Sequence, residues 1–174
     1  TNTSFSSKIP DSFFESNPFL IGKNTTLIEY AAFFGSFQIF KYLQLNNVDL
    51  TSSLWLYSIH GNNPELIHLL EENHVIPDDK TYLECLKESI KCHHNDIANY
   101  IENNLMSDKN FKINNENFIQ NKIAYTFRYY NFGNLQDCIN FDNFQFLFFY
   151  AAKYDYLNIV KILVENKMIN VNYN

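Results

Sequence analysis

The chain has 174 residues, 46% hydrophobic and 17% aromatic, with only 4 Gly and 4 Pro and a formal net charge of −6. So little glycine argues against a hairpin-rich β protein or a phosphate-cradling loop, both of which need φ > 0 or close backbone approach. The acidic balance and scattered Lys and Arg disfavour nucleic acid and anionic membrane surfaces as partners, because both reward a basic patch. Cys85, Cys92 and Cys138 form an odd set without framework spacing, which fits a reducing compartment, and a cytoplasmic location is expected. Asn2-Thr3-Ser4 and Asn24-Thr25-Thr26 have the glycosylation pattern but read as coincidence in a chain rich in Asn and Thr. The longest apolar run, Phe144 to Ala152, is too short to span a bilayer.

In chain order, Ser12-Phe13-Phe14-Glu15 after Pro10-Asp11 reads as a capping box opening a short helix, within an arm of residues 1–24. Such a helix can cover the open end of a helical stack. Residues 26–43 (TLIEYAAFFGSFQIFKYL) combine a small-residue helix, a turn at Gly35 and a second helix with Ile39, Phe40 and Leu43 on one stripe. Residues 56–70 and 87–101 are weaker copies of each other, with Ser58-Ile59 on Ser89-Ile90 and Leu70 on Ile101. Gly61 is the expected left-handed exit of the first of these. Asp78 or Asp79 starts the helix of TYLECLKESI. Asn103 to Asn117 reads as a loop or finger, followed by a degenerate copy carrying Phe118, Ile119, Ile123 and Phe127. Residues 146–163 (FLFFYAAKYDYLNIVKIL) repeat the first copy: Ala31-Ala32 falls on Ala151-Ala152, Ile39 on Ile159, Lys41 on Lys161 and Leu43 on Leu163.

A period near 30 with two short helices per copy is close to the ankyrin unit. The chain resembles the ankyrin-repeat family. The first copy keeps Thr26, Ala31, Ala32, Gly35, Ile39, Leu43 and Val48-Asp49-Leu50, and the last keeps Ala151, Ala152, Ile159, Val160, Leu163 and Val171-Asn172. Leu27 and Leu147 replace the family's Pro, Glu29 and Phe149 its His, and Cys92 and Asp155 its Gly. Residues 17–101, and again the stretch from Phe144, are similar to the divergent ankyrin proteins, carrying a domain of unknown function, that are expanded in trichomonad protists. The expected fold is all-α, an ankyrin-like helical-repeat solenoid of about five repeats, some degenerate. The expected layout is an arm with a capping helix (1–24), three repeats (25–106), a loop with a degenerate fourth (107–143) and a fifth (144–174), with further repeats expected after Asn174.

The expected function is protein–protein recognition on a concave face, with no catalysis, cofactor or metal. The resemblance places Tyr30, Phe33, Phe34, Leu56, His60, Lys87, Lys91, Tyr150, Lys153 and Tyr154 on that face, where aromatics with interspersed cations suit an interface. The partner is an unidentified protein. The chain itself is expected to be a monomer, or a weak dimer through its truncated carboxyl-terminal repeat. Two other readings stand beside it. Cys85, Cys92, His93 and His94, with His60, invite a zinc site or a Cys/His enzyme, but lack Cys-x-x-Cys spacing and an orienting carboxylate. A purely structural spacer would bury Tyr30, Phe34 and Tyr154. Helix-interior Cys and the core-facing Trp55 read as packing residues.

Overall fold

A computed structural model describes residues 4–10, 12–106, 116–135 and 143–169. Asp11, Cys138 and Val171-Asn172 lie outside the described residues. Among the described residues there are nine α-helices and no strand, only an isolated antiparallel bridge between Lys8 and Thr26. The helices are α1 (Leu27–Phe33), α2 (Phe37–Leu45), α3 (Leu54–Gly61), α4 (Pro64–Glu72), α5 (Leu83–Lys91), α6 (Asn95–Tyr100), α7 (Glu116–Arg128), α8 (Phe144–Lys153) and α9 (Leu157–Glu165). A π-helical turn, Ile101–Leu105, continues α6. The chain is therefore all-α. It divides into two compact units, residues 1–88 and 89–174.

One local design recurs in both units. A helix ends in a left-handed residue at Gly35, Asn62, His93, Tyr130 and Asp155. At four of these turns the next amide closes a Schellman-type bond five residues back: Ser36 to Ala31, His94 to Ser89, Asn131 to Thr126 and Tyr156 to Ala151, at 2.8–3.0 Å. Four residues before each left-handed position stands a small or β-branched buried residue, namely Ala31, Ser58, Ser89, Thr126 and Ala151. The helix that carries Ile123 and Phe127 ends in the same kind of turn, at Tyr130-Asn131. The second helix of a pair ends alike: Leu43, Leu70 and Leu163 are buried, each four residues before left-handed Asn47, His74 and Lys167. The intervening Asn46, Asn73 and Asn166 donate their side-chain amides to the carbonyls of Tyr42, Leu69 and Ile162 at 2.7–2.8 Å. That capping role accounts for part of the asparagine richness.

The small column has an energetic signature. The hydroxyls of Ser58 and Thr126 are buried without a hydrogen-bond partner. Ser58→Ala removes a desolvated hydroxyl and supplies the residue found at Ala31 and Ala151. It should raise stability by about 1 kcal/mol in urea unfolding. A loss of that size would show that the hydroxyl is paired.

Several expectations need correction. Ser12–Glu15 forms a turn, not a helix, with Glu15 N–H on the Ser12 carbonyl at 3.0 Å. Pro18 follows within one turn and biases Asn17 away from the α region, so no helix propagates. The capping box forms instead at Thr26–Glu29, where an apolar helix follows: Glu29 Oε2 accepts the Thr26 N–H at 2.8 Å and Thr26 Oγ1 accepts the Glu29 N–H at 3.4 Å. Gly61 is helical, and Asn62 takes the left-handed turn. Ile39 is 58% exposed, not buried with Phe40 and Leu43. Residues 103–105 continue a helical turn and 116–117 open α7; of the expected loop, 107–115 lie outside the described residues. Asp79 does start a helix, as expected. Its carboxylate accepts the amides of Tyr82 and Glu84 at 3.2 and 3.1 Å.

Within the first unit α1 packs on α2 and α3, and α3 on α4. Within the second, α7 packs on α8 and α8 on α9, around Ile123, Phe127, Leu147, Ala151 and Leu163.

Candidate functional site

The face of α1 and α3 in the first unit carries a box of three rings. Phe33 closes α1, while Tyr57 and His60 project from successive turns of α3. Phe33 and His60 stack at 5.0 Å and 28°, and His60 Nε2 lies 2.8 Å from a Glu88 carboxylate oxygen. The box is occupied by the chain itself. Phe19, from the amino-terminal arm, stacks on Phe33 at 5.8 Å, meets Tyr57 edge-on at 5.0 Å and lies 4.0 Å from the His60 ring. Lys23 Nζ caps Phe19 at 3.3 Å from its centroid. Phe33 is consequently buried, 8% exposed. The Tyr57 hydroxyl sits near Thr25 Oγ1 at 3.4 Å, and burial pushes its pKa up.

A second feature of this unit is an open apolar groove of about 500 Å³ between α1 and α2, lined by Leu27, Tyr30, Ala31, Phe34, Ser36, Ile39 and Leu43. Tyr30 is half-buried with its ring 4.8 Å from Phe34, while Phe34 is 56% exposed. Leu56 is half-buried on α3, and Lys87 pairs with Glu84 at 2.8 Å. In the second unit Lys91 is exposed at the end of α5. Tyr150 and Tyr154 stack at 6.5 Å and 18°, with Lys153 Nζ 5.7–5.9 Å from the centroids of Phe149, Tyr150 and Tyr154. The expected residues therefore assemble as two groups: Tyr30, Phe34, Phe33 and His60, joined by Phe33 meeting Phe34 edge-on at 5.0 Å, and Tyr150 with Lys153 and Tyr154. Phe19, Lys23, Tyr57 and the exposed Ile39 were not anticipated. Only the spacing of Phe19 and Lys23, four apart after Pro18, hinted at a structured arm.

Cys85 is 1% exposed, and burial, with Asp79 and Glu84 nearby, pushes its thiol far above the ordinary value of 9.0. Cys92 is half-buried, and the neighbouring His93 directs Nε2 to the Tyr129 carbonyl at 2.9 Å. A raised folded pKa keeps the Cys85 thiol protonated where the unfolded thiol ionises. Its contribution is complete below about pH 9 and is lost as pH rises further. Tyr57 and Tyr82, both raised by burial, add the same sign above about pH 10. We expect urea midpoints to fall from about pH 9 upward and iodoacetamide to spare Cys85 in the folded chain near about pH 8. Labelling of native Cys85 as fast as in urea would contradict this.

No protein-family model, curated protein or solved structure matches the chain.

Proposed function

We propose that the chain is a protein-recognition scaffold built of ankyrin-type helix pairs, in which the α1–α2 groove receives an apolar segment of a partner protein. One comparison carries this reading. Tyr154 and Ile159, at the end of α8 and the start of α9, pack against the second unit's core. Their sequence counterparts Phe34 and Ile39 are 56% and 58% exposed. The same two positions of the same kind of helix pair are half-buried in one place and exposed in the other. Contiguous exposed apolar residues that line a groove are the kind of surface that contact sites use. The exposure of Phe34 favours this reading over a spacer, and the net charge of −6 favours a partner with basic residues around its apolar anchor.

The test is affinity capture from the source cell's lysate with the unmodified chain and with Phe34→Ser/Ile39→Ser. Both positions are exposed, so helicity should be unchanged while partner recovery falls by about tenfold or more. The same partners recovered equally by both would move recognition away from the groove.

A further inference from the structure

The amino-terminal arm is bound to its own unit in the manner of a ligand. It is anchored first by Phe5, edge-on to Tyr42 at 5.6 Å, and by Ile9 N–H on the Thr25 carbonyl at 2.7 Å and Leu27 N–H on the Ser7 carbonyl at 3.3 Å. It then loops out, leaving Phe13 and Phe14 99% and 91% exposed, and returns at Pro18 to place Phe19 in the box. The amides of Leu20 and Ile21 bond to Asn17 at 3.0 and 3.1 Å, and that of Lys23 to Leu20 at 3.1 Å. These bonds are internal to the returning segment, so lifting it off exposes rings and Leu20 without stripping those amides of their partners. What holds Phe19 is ring stacking on Phe33, Tyr57 and His60 and the Lys23 ammonium, which also stands 5.6 Å from the Tyr57 centroid. Cation–π and stacking contacts of this kind are the ones a second chain can reproduce with one aromatic and one cationic side chain.

We infer that the Phe33–Tyr57–His60 box is a recognition site for a peptide segment bearing an aromatic side chain with a lysine or arginine four residues after it, and that Phe19 and Lys23 are the built-in competitor. The Glu88 carboxylate beside His60 gives the site a negative group that suits a cationic ligand. The box adjoins the α1–α2 groove, Phe33 meeting Phe34 edge-on at 5.0 Å, but the contacts to the arm are made by Phe33, Tyr57 and His60.

The probe is a fluorescent peptide of residues 15–24, titrated against the full-length chain. Removing the competitor restores the fraction of competent molecules, so Phe19→Ala should bind the peptide about tenfold or more tightly than the unmodified chain. Binding should vanish when the peptide's own phenylalanine is replaced by alanine, or when His60→Ala is added to the Phe19→Ala chain. Circular dichroism checks that each variant is folded. A folded Phe19→Ala chain that ignores the peptide, or equal binding by variant and unmodified chain, would each overturn the proposal.

Discussion

Trp55→Ala is expected to destabilise the first unit by about 4 kcal/mol, the largest effect of any single change considered. The indole is fully buried on α3, and its ring meets Tyr82 edge-on at 5.2 Å. Its Nε1–H donates to the Val75 carbonyl at 2.7 Å. Val75 directly follows left-handed His74, so this bond ties α3 to the exit of α4. Truncation opens a cavity and leaves a buried carbonyl without its donor. Trp55→Phe separates the two terms: it retains most of the packing and should lose only about 1–3 kcal/mol for the orphaned acceptor. Urea unfolding followed by circular dichroism measures both. A loss below about 1 kcal/mol for Trp55→Ala would mean that the ring is not packed as described.

Gly61→Ala follows at about 3 kcal/mol, the upper end for overpacking. A Cβ there would stand 2.2 Å from the Ala32 carbonyl oxygen and 2.8 Å from the Gly35 nitrogen. Both are backbone atoms, so no side chain can swing aside. At Gly35 a Cβ would lie 2.5 Å from the Gly61 carbonyl oxygen, and φ there is +62°. The two glycines set the approach of α1 to α3. Their alanine substitutions should be less than additive, since the first already forces the helices apart. Gly22 is the control. Its φ is +73° but nothing lies within 4 Å of a Cβ, so Gly22→Ala should cost only the left-handed strain, about 1 kcal/mol.

Much of the all-α architecture was legible in the sequence. Ala31-Ala32 and Ala151-Ala152 marked close-packed helices, and Ser58 and Ser89 aligned with each other because they share the small buried position. The turns were harder to read. Asn62 takes a left-handed geometry that asparagine tolerates, whereas His93 and Tyr130 take a conformation that more usually falls to glycine. The local strain, of order 1 kcal/mol, is outweighed by the carbonyls that these turns satisfy and the side chains they bury. The fourth turn was further hidden by its distance from the third, longer than the spacing seen elsewhere in the chain. Ser12–Glu15 failed as a helix start because a capping box only begins what the following residues must propagate.

The candidate site was partly legible. Aromatics beside the Ala-Ala pairs gave Tyr30, Phe34, Tyr150 and Tyr154, but helical periodicity cannot separate an outward ring from one covered by a distant segment. Phe33 faces outward by register and is nevertheless buried, because Phe19 comes back over it. A single aromatic in a loop has no period by which to be found.

The recognition account meets its most direct test at Phe34. A chain carrying the photocrosslinker p-benzoylphenylalanine at position 34, expressed in the source cell, should capture a discrete protein partner on irradiation. The same group at Gln38, exposed on α2, serves as the control and should capture that protein weakly. Equal labelling from both positions, or no adduct from position 34 in folded protein, would contradict a partner seated in the α1–α2 groove.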